Sequence, residues 1–223
     1  MERHDSLVEL TVAARLAAWS SWGRVDEDLI AHALNPAFMG GPTWPNLREA
    51  FVTARQDGQL LLASDGLSDP FPNPEAGDGN GFGLEVFGVT VDPVIEPSRS
   101  WLFDVIWQTS QNAAADGGLA GLLDQLGLVS IELYDVNIPP SHAERFVSAE
   151  GRVGALLGLA GPPPPPRIDG PLSPIRLVNA KLLTLAELDF VLREGAPARA
   201  ELAARFAAQG LPLVSSLDRP DCV

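Results

Sequence analysis

Apolar residues recur along the chain with two different periods, and each period predicts a different element. Over 6–22, Leu7, Leu10, Ala14 and Ala17 recur at helical spacing and predict a helix. A second, short helix is expected over 26–34. Asp26 would cap it, Asp28 would favour its positive end, and Leu29, Ile30, Ala33 and Leu34 would form its apolar face, with Asn35-Pro36 as the stop. Two apolar runs, 47–55 and 59–63, flank Gln56-Asp57-Gly58. Asp-Gly between two such runs is a strong hairpin signal. Strand character returns over 82–91, with Val86, Val89 and Val91, and Pro93 and Pro97 bracket its exit.

The second half alternates helix and strand signals. A helix is expected over 100–115, with Trp101, Leu102, Val105 and Ile106 on one side and Gly117-Gly118 as its break. A shorter helix over 119–126 ends at Gly127, and strands follow over 128–136, 153–159 and 175–183. Thr184-Leu185-Ala186-Glu187 fits a capping box, in which Thr184 and Glu187 satisfy each other's free backbone amides. The helix it opens runs to about residue 193, and a last helix over 198–209 stops at Gly210. Pro162 to Pro166 reads as a stiff, extended spacer. The 64–81 segment reads as a long loop, an uncommon feature that is often functional when ordered. Together these elements predict an α+β fold: a mixed, largely antiparallel sheet flanked by α-helices.

Composition narrows the function. The chain has 223 residues, enough to bury a sizeable core, and 46% of them are apolar. There are 29 Asp and Glu against 15 Lys and Arg, a formal net charge of -14. A field of that sign repels phosphate backbones and anionic membrane surfaces, and it steers basic proteins toward the chain. The expected partner is therefore another protein of basic character, with no nucleic acid and no membrane. No run reaches 18 uninterrupted apolar residues. The single cysteine, Cys222, offers neither an internal disulfide nor a cysteine-rich metal site. Residues 1–5 lack the apolar core of a signal peptide, and the expected location is cytoplasmic.

No catalytic constellation emerges from the motifs. His4, His32 and His142 are far apart, and none has a second histidine at helical metal spacing. Gly66-Leu67-Ser68-Asp69-Pro70 approaches the nucleophile-elbow pattern but ends in Pro70 where that pattern needs Gly. Gly77, Gly79, Gly81 and Gly83 alternate without matching a dinucleotide fingerprint. Asp65, Asp69, Glu75 and Asp78 populate the 64–81 loop without the ligand order of a calcium loop. Glu85 lies inside an apolar run. If it faces inward it needs a partner, for which Arg48 and Arg55 are the candidates. The expectation is no metal, no cofactor and no catalysis. A hydrolase or metal-dependent enzyme built on the 64–81 loop is the alternative.

Three stretches together carry a family resemblance. Gly41-Pro42-Thr43-Trp44-Pro45-Asn46-Leu47 leads into Arg48, Ala50 and Phe51. Then come Ala63-Ser64-Asp65-Gly66-Leu67-Ser68-Asp69-Pro70-Phe71 and Gly81-Phe82-Gly83-Leu84-Glu85-Val86-Phe87. Leu182-Leu183-Thr184 and the closing Ser216-Leu217-Asp218-Arg219-Pro220 fit the same order. This pattern resembles the Suppressor-of-fused domain family, particularly its bacterial members. The resemblance implies one such domain over 1–223, with an N-terminal helical segment at 1–40 and a candidate Pro-rich linker at 161–170. It implies a protein that sequesters a protein partner, as an immunity-type or regulatory protein, and no catalysis. Trp44, Phe51, Gly66 and Glu85 are then the structural motif. Asp65, Ser68, Asp69 and Asp78 are the expected partner-binding residues.

Overall fold

A computed structural model describes residues 2–72, 74–75, 78–161, 163–210 and 212–223. Its centre is a mixed sheet whose main path runs β1-β3-β4-β5-β9-β7-β6. The strands are β1 (Arg24–Val25), β2 (Ile30–Ala31), β3 (Ala50–Gln56), β4 (Gln59–Asp65), β5 (Leu84–Thr90), β6 (Val129–Tyr134), β7 (Arg152–Leu159), β8 (Arg167–Asp169), β9 (Pro174–Leu183) and β10 (Val214–Ser215). β5 pairs in parallel with β9 and β10, and the other pairings are antiparallel. The helices are α1 (Glu2–Trp22), α2 (Trp101–Asp116), α3 (Leu119–Leu126), α4 (Ala143–Phe146), α5 (Leu185–Glu194) and α6 (Ala196–Ala208).

Helices cover the central strands on both faces, so those strands carry near-continuous apolar runs. The two-residue strand period sorts these runs into two cores. Leu60 and Leu62 of β4, Leu84 and Val86 of β5, and Val178, Ala180 and Leu182 of β9 face α2, where Trp101, Leu102, Val105 and Ile106 pack. Leu61, Ala63, Phe87, Val89 and Leu177 face α1, α5 and α6, against Trp19, Leu188, Leu202 and Phe206. Trp44 and Phe51 are fully buried in the first core, and Phe51 makes edge contacts with both Trp44 and Phe103. The same period puts Glu85 on the α1 face, level with Phe87.

The short-range signals are where the sequence places them. Asp57 and Gly58 take positive φ, 48° and 78°, and join β3 to β4 in a two-residue turn. Ser100 caps α2 through the amide of Phe103. Both halves of the Thr184–Glu187 capping box are present. Pro162 and Gly77 lie outside the described residues. Within the 161–170 stretch, Arg167–Asp169 forms β8 on the sheet, paired with β9.

Two expectations are corrected. Residues 26–34 form no helix. Ile30 and Ala31 pair with Phe51 and Ala50 as β2, and the Asp26 carboxylate accepts from Thr53 and Arg55 of β3 and caps no helix. Pairing to an exposed edge strand outweighs a weak local helix preference. α1 does not bury the stripe read from its leucines: Leu10 is 57% exposed, while Thr11, Arg15, Ala18, Trp19 and Trp22 form the buried face. The two-residue β10 carries too little pattern to be read from sequence. It takes over the side of β5 that β9 leaves, pairing Val214 and Ser215 with Val89 and Thr90.

The C-terminal segment buries an amine beneath β10. Lys181 of β9 is 1% exposed, lies 4.5 Å from the centre of the Phe206 ring and donates to the carbonyl of Val214. Burial first, and then the neighbouring Arg219, lower its pKa to about 7, against the opposing pull of Glu187 and Cys222. An unfolded lysine keeps its proton to about 10.4. Between those values the unfolded chain binds more protons, so this group makes stability rise with pH. Thermal melts from about pH 7 to about pH 8.5, below the raised thiol of Cys222, should show the melting temperature increasing. Lys181→Met should flatten that slope, and an unchanged slope would refute the assignment.

Candidate functional site

The most concentrated polar chemistry lies where α1 crosses the β4–β5 junction. Arg15 projects from the buried face of α1 and is 1% exposed. Its Nε donates to Asp65 Oδ1 at 2.7 Å, and its Nη1 donates to Asp69 Oδ1 at 2.7 Å and to Ser68 Oγ at 3.0 Å. Glu85 Oε1 is 3.3 Å from the same Nη1. Arg48 reaches the second oxygen of Asp65 from the edge of the site.

Glu85 also organises the turn that follows β4. Its Oε1 accepts from the backbone amides of Gly66 (3.2 Å) and Ser68 (3.0 Å) and from Ser68 Oγ (2.7 Å). Its Oε2 accepts from Ser64 Oγ, which itself accepts from the amide of Val86 at 2.9 Å. The turn requires glycine at 66: φ is 150°, and a Cβ there would lie 2.0 Å from the Arg48 carbonyl oxygen. Asn80 closes the far end of the loop. It donates to Thr11 Oγ1 of α1 and to the Ser68 carbonyl, and accepts from the amides of Leu172 and Ser173.

Burial and charge oppose each other within this cluster. For Asp69 and Glu85 burial wins, and both carboxyls sit above their ordinary range although Arg15 pulls them down. For Arg15 burial alone would lower the pKa, but Glu85, Asp65 and Asp69 outweigh it and hold the guanidinium above its usual value. The arrangement is a structural lock. Ser68 Oγ is engaged by Glu85 and Arg15, with no histidine among those contacts, and Ser68 is fully buried. Among the described residues, no group of three or more His, Cys, Asp or Glu is arranged to hold a metal ion.

The expected partner-binding residues therefore divide. Asp65, Ser68 and Asp69 are buried on Arg15, whereas Asp78 is exposed and accepts from the Glu75 amide at 2.7 Å. Glu85 does face inward, but its cation is Arg15. Arg48 serves Asp65 and Arg55 serves Asp26. Sequence reasoning missed Arg15, Thr11 and Asn80. The available signal was the 4-3-1-3 spacing of Thr11, Arg15, Ala18, Trp19 and Trp22, which marks one helix face. A further buried carboxylate, Glu49, was missed too. It accepts from Trp107 Nε1 (3.1 Å) and from Gln111, lies 3.6 Å from His32 Nε2, and is pushed above its ordinary pKa by burial.

No family model matches the chain, and no curated protein matches it in sequence. Solved structures do match its fold. A crystal structure of Drosophila Suppressor of Fused superposes with a TM-score of 0.55 at 15% identity, over 85% of this chain and 46% of that one. The crystal structure of the Sufu–Fu complex gives 0.58 at 14% identity, over 96% of this chain and 91% of that one. The chain thus has a Suppressor of Fused-like fold and spans about half the length of the fly protein. At these identities the likeness is one of fold.

Removing Arg15 leaves three buried carboxylates facing one another. Arg15→Met should destabilise the fold by about 3–5 kcal/mol at neutral pH, the usual cost of breaking a buried ion pair from one side. Asp69 and Glu85 already have raised pKa values, so the stability they contribute is present at acid pH and is lost as pH rises through those values. Without Arg15 both rise further. Chemical denaturation at about pH 5 should therefore show a smaller loss than at about pH 7. An equal loss at both would mean that the carboxylates are not coupled to Arg15.

Proposed function

We propose that this chain is a non-catalytic protein-binding domain of the Suppressor-of-fused family, a cytoplasmic immunity-type or regulatory protein that sequesters a basic protein partner. The observation that carries this reading is the fold: 96% of the chain superposes on the structure of a Sufu–Fu complex. The net charge of -14 supports a basic partner, because it accelerates encounter with positive surfaces at low salt. Ser68, the nucleophile of an enzymatic alternative, is buried where a substrate does not reach it. In this reading Asp65, Ser68 and Asp69 act from beneath, fixing the loop on α1, while Asp78 meets the partner.

Affinity capture from native lysate, with the intact chain as bait, tests the reading. One stoichiometric protein partner is expected, retained at low salt and weakened at moderate salt. No partner at either salt would overturn it. With the partner in hand, Asp78→Lys should slow association at low salt and leave dissociation nearly unchanged. An unchanged association rate would remove the loop from the contact surface.

A further inference from the structure

Past the end of β5 the chain carries an apolar ridge. Val91, Pro93 and Ile95 are exposed, and Ile95 is 100% exposed. Between them Asp92 and Val94 are half-buried, the alternation of an extended segment. Asp92 hooks the ridge to the C-terminal chain. Its Oδ1 accepts from Ser216 Oγ at 2.7 Å and its Oδ2 from the Leu217 amide at 2.9 Å, while its own amide donates to Thr90 Oγ1 at 3.0 Å. Val94 packs against the core that α2 covers. Pro93 and Pro97 hold the residues before them extended, and the turn at Pro97–Arg99 leads into α2. A single exposed isoleucine needs no explanation. Three apolar side chains in line, on a segment pinned from below, form a preformed prominence that loses little freedom on binding.

The ridge stands between two cavities. One, of about 470 Å³, opens between the ridge and the Pro139–His142 and Leu217–Asp218 segments, with Trp101 among its walls. The other, of about 430 Å³, opens between the ridge and the β3–β4 turn at Asp57-Gly58. Both have acidic borders. Glu96 and Asp218 line the first and Asp57 the second, and all three are exposed. The arginines in the same walls are already engaged, Arg99 on Glu96 and Arg55 on Asp26. Asp218 has only His142, whose Nε2 is 3.0 Å away, and Asp57 has no cation partner among the described residues.

We propose that the 91–96 ridge is a protein-docking surface on which Ile95 enters an apolar pocket of a partner, while Lys or Arg side chains bordering that pocket enter the two cavities. Their aliphatic stems would lie on the cavity walls and their charged heads on Asp218 and Asp57. A convex apolar anchor with acidic flanks calls for a concave apolar site with basic flanks. A second copy of this chain would instead bring the same carboxylates against one another. The proposal rests on the protein-binding reading and gives that partner its surface chemistry. The ridge follows β5 and Asp78 precedes it, so the two stand at opposite ends of a seven-residue strand, roughly 20 Å apart, and can be altered separately.

The test takes the protein that the intact chain captures from native lysate and measures its binding to variants. Ile95→Asp should weaken binding by about tenfold or more, and Ile95→Leu should nearly restore it. The side chain at 95 touches solvent, so thermal melts of both variants should match the parent. Asp57→Asn combined with Asp218→Asn should slow association at low salt and leave dissociation nearly unchanged; asparagine keeps the positive φ that the turn needs at 57. A photocrosslinking group at position 95 should attach to a partner segment rich in apolar residues with Lys or Arg beside it. Equal binding by Ile95→Asp, or a crosslinked segment without basic residues, would overturn the docking surface and leave the protein-binding reading standing. Crosslinking to a second copy of this chain would overturn the assignment of its occupant. Capture of no partner by the parent chain would overturn both.

Discussion

Arg15 is the constraint around which the first half of this fold is arranged. A guanidinium at 1% exposure is costly unless carboxylates surround it, and Asp65, Asp69 and Glu85 are equally costly without a cation. The two requirements are met together only when α1 lies across the β4–β5 junction with Arg15 turned inward. That demand sets the rotation of α1. Thr11, Arg15 and Trp19 go inside, and Leu10 and Leu16 are left outside at 57% and 48% exposure. With Arg15 turned outward, three buried carboxylates would lose their shared cation, at several kcal/mol for each uncompensated ion, which outweighs the roughly 3–6 kcal/mol that two exposed leucines forgo.

The same lock anchors both ends of the long loop between β4 and β5. Glu85 holds the Gly66–Ser68 turn at the start of the loop, and Asn80 ties its end to Thr11 and to the Leu172–Ser173 turn. The loop is therefore anchored at both ends from below and presents Asp78 above. Polar residues that look like a binding surface in the sequence are here a buried network beneath the loop. The Gly66-Leu67-Ser68 turn and the strand that carries Glu85 are tied together inside the protein: Ser68 and Glu85 are two ends of one hydrogen-bond network.

Elements set by local physics were legible in the sequence. The Asp57-Gly58 turn, the Thr184–Glu187 box and the apolar run of α2 depend on neighbours within a few residues, and each is present. What sequence alone did not carry depends on distant partners. Asp26 reads as a helix cap until Thr53 and Arg55 of β3 are placed beside it. Glu85 reads as an inward charge, but its cation lies 70 residues upstream on a helix whose apolar pattern points elsewhere. β10 is held by Asn179, Lys181 and the backbone of β5, and two residues of its own carry no usable period. In the candidate site, residue types were readable and pairings were not.

The sheet treats its two ends differently, and the charge balance gives that difference its meaning. At one end β3 is covered along part of its edge by β1 and β2, so few of its backbone groups face outward. At the other end β6 has no second strand partner among the described residues. An open edge invites pairing with a second copy of the same chain, a hazard usually managed with charge. Here every approaching copy carries a net charge of -14, and Glu132 stands on the strand itself, its carboxylate held by Arg152. Self-pairing is opposed by that field. The charge that opposes self-pairing is the reason an acidic protein can leave such a strand without a second partner.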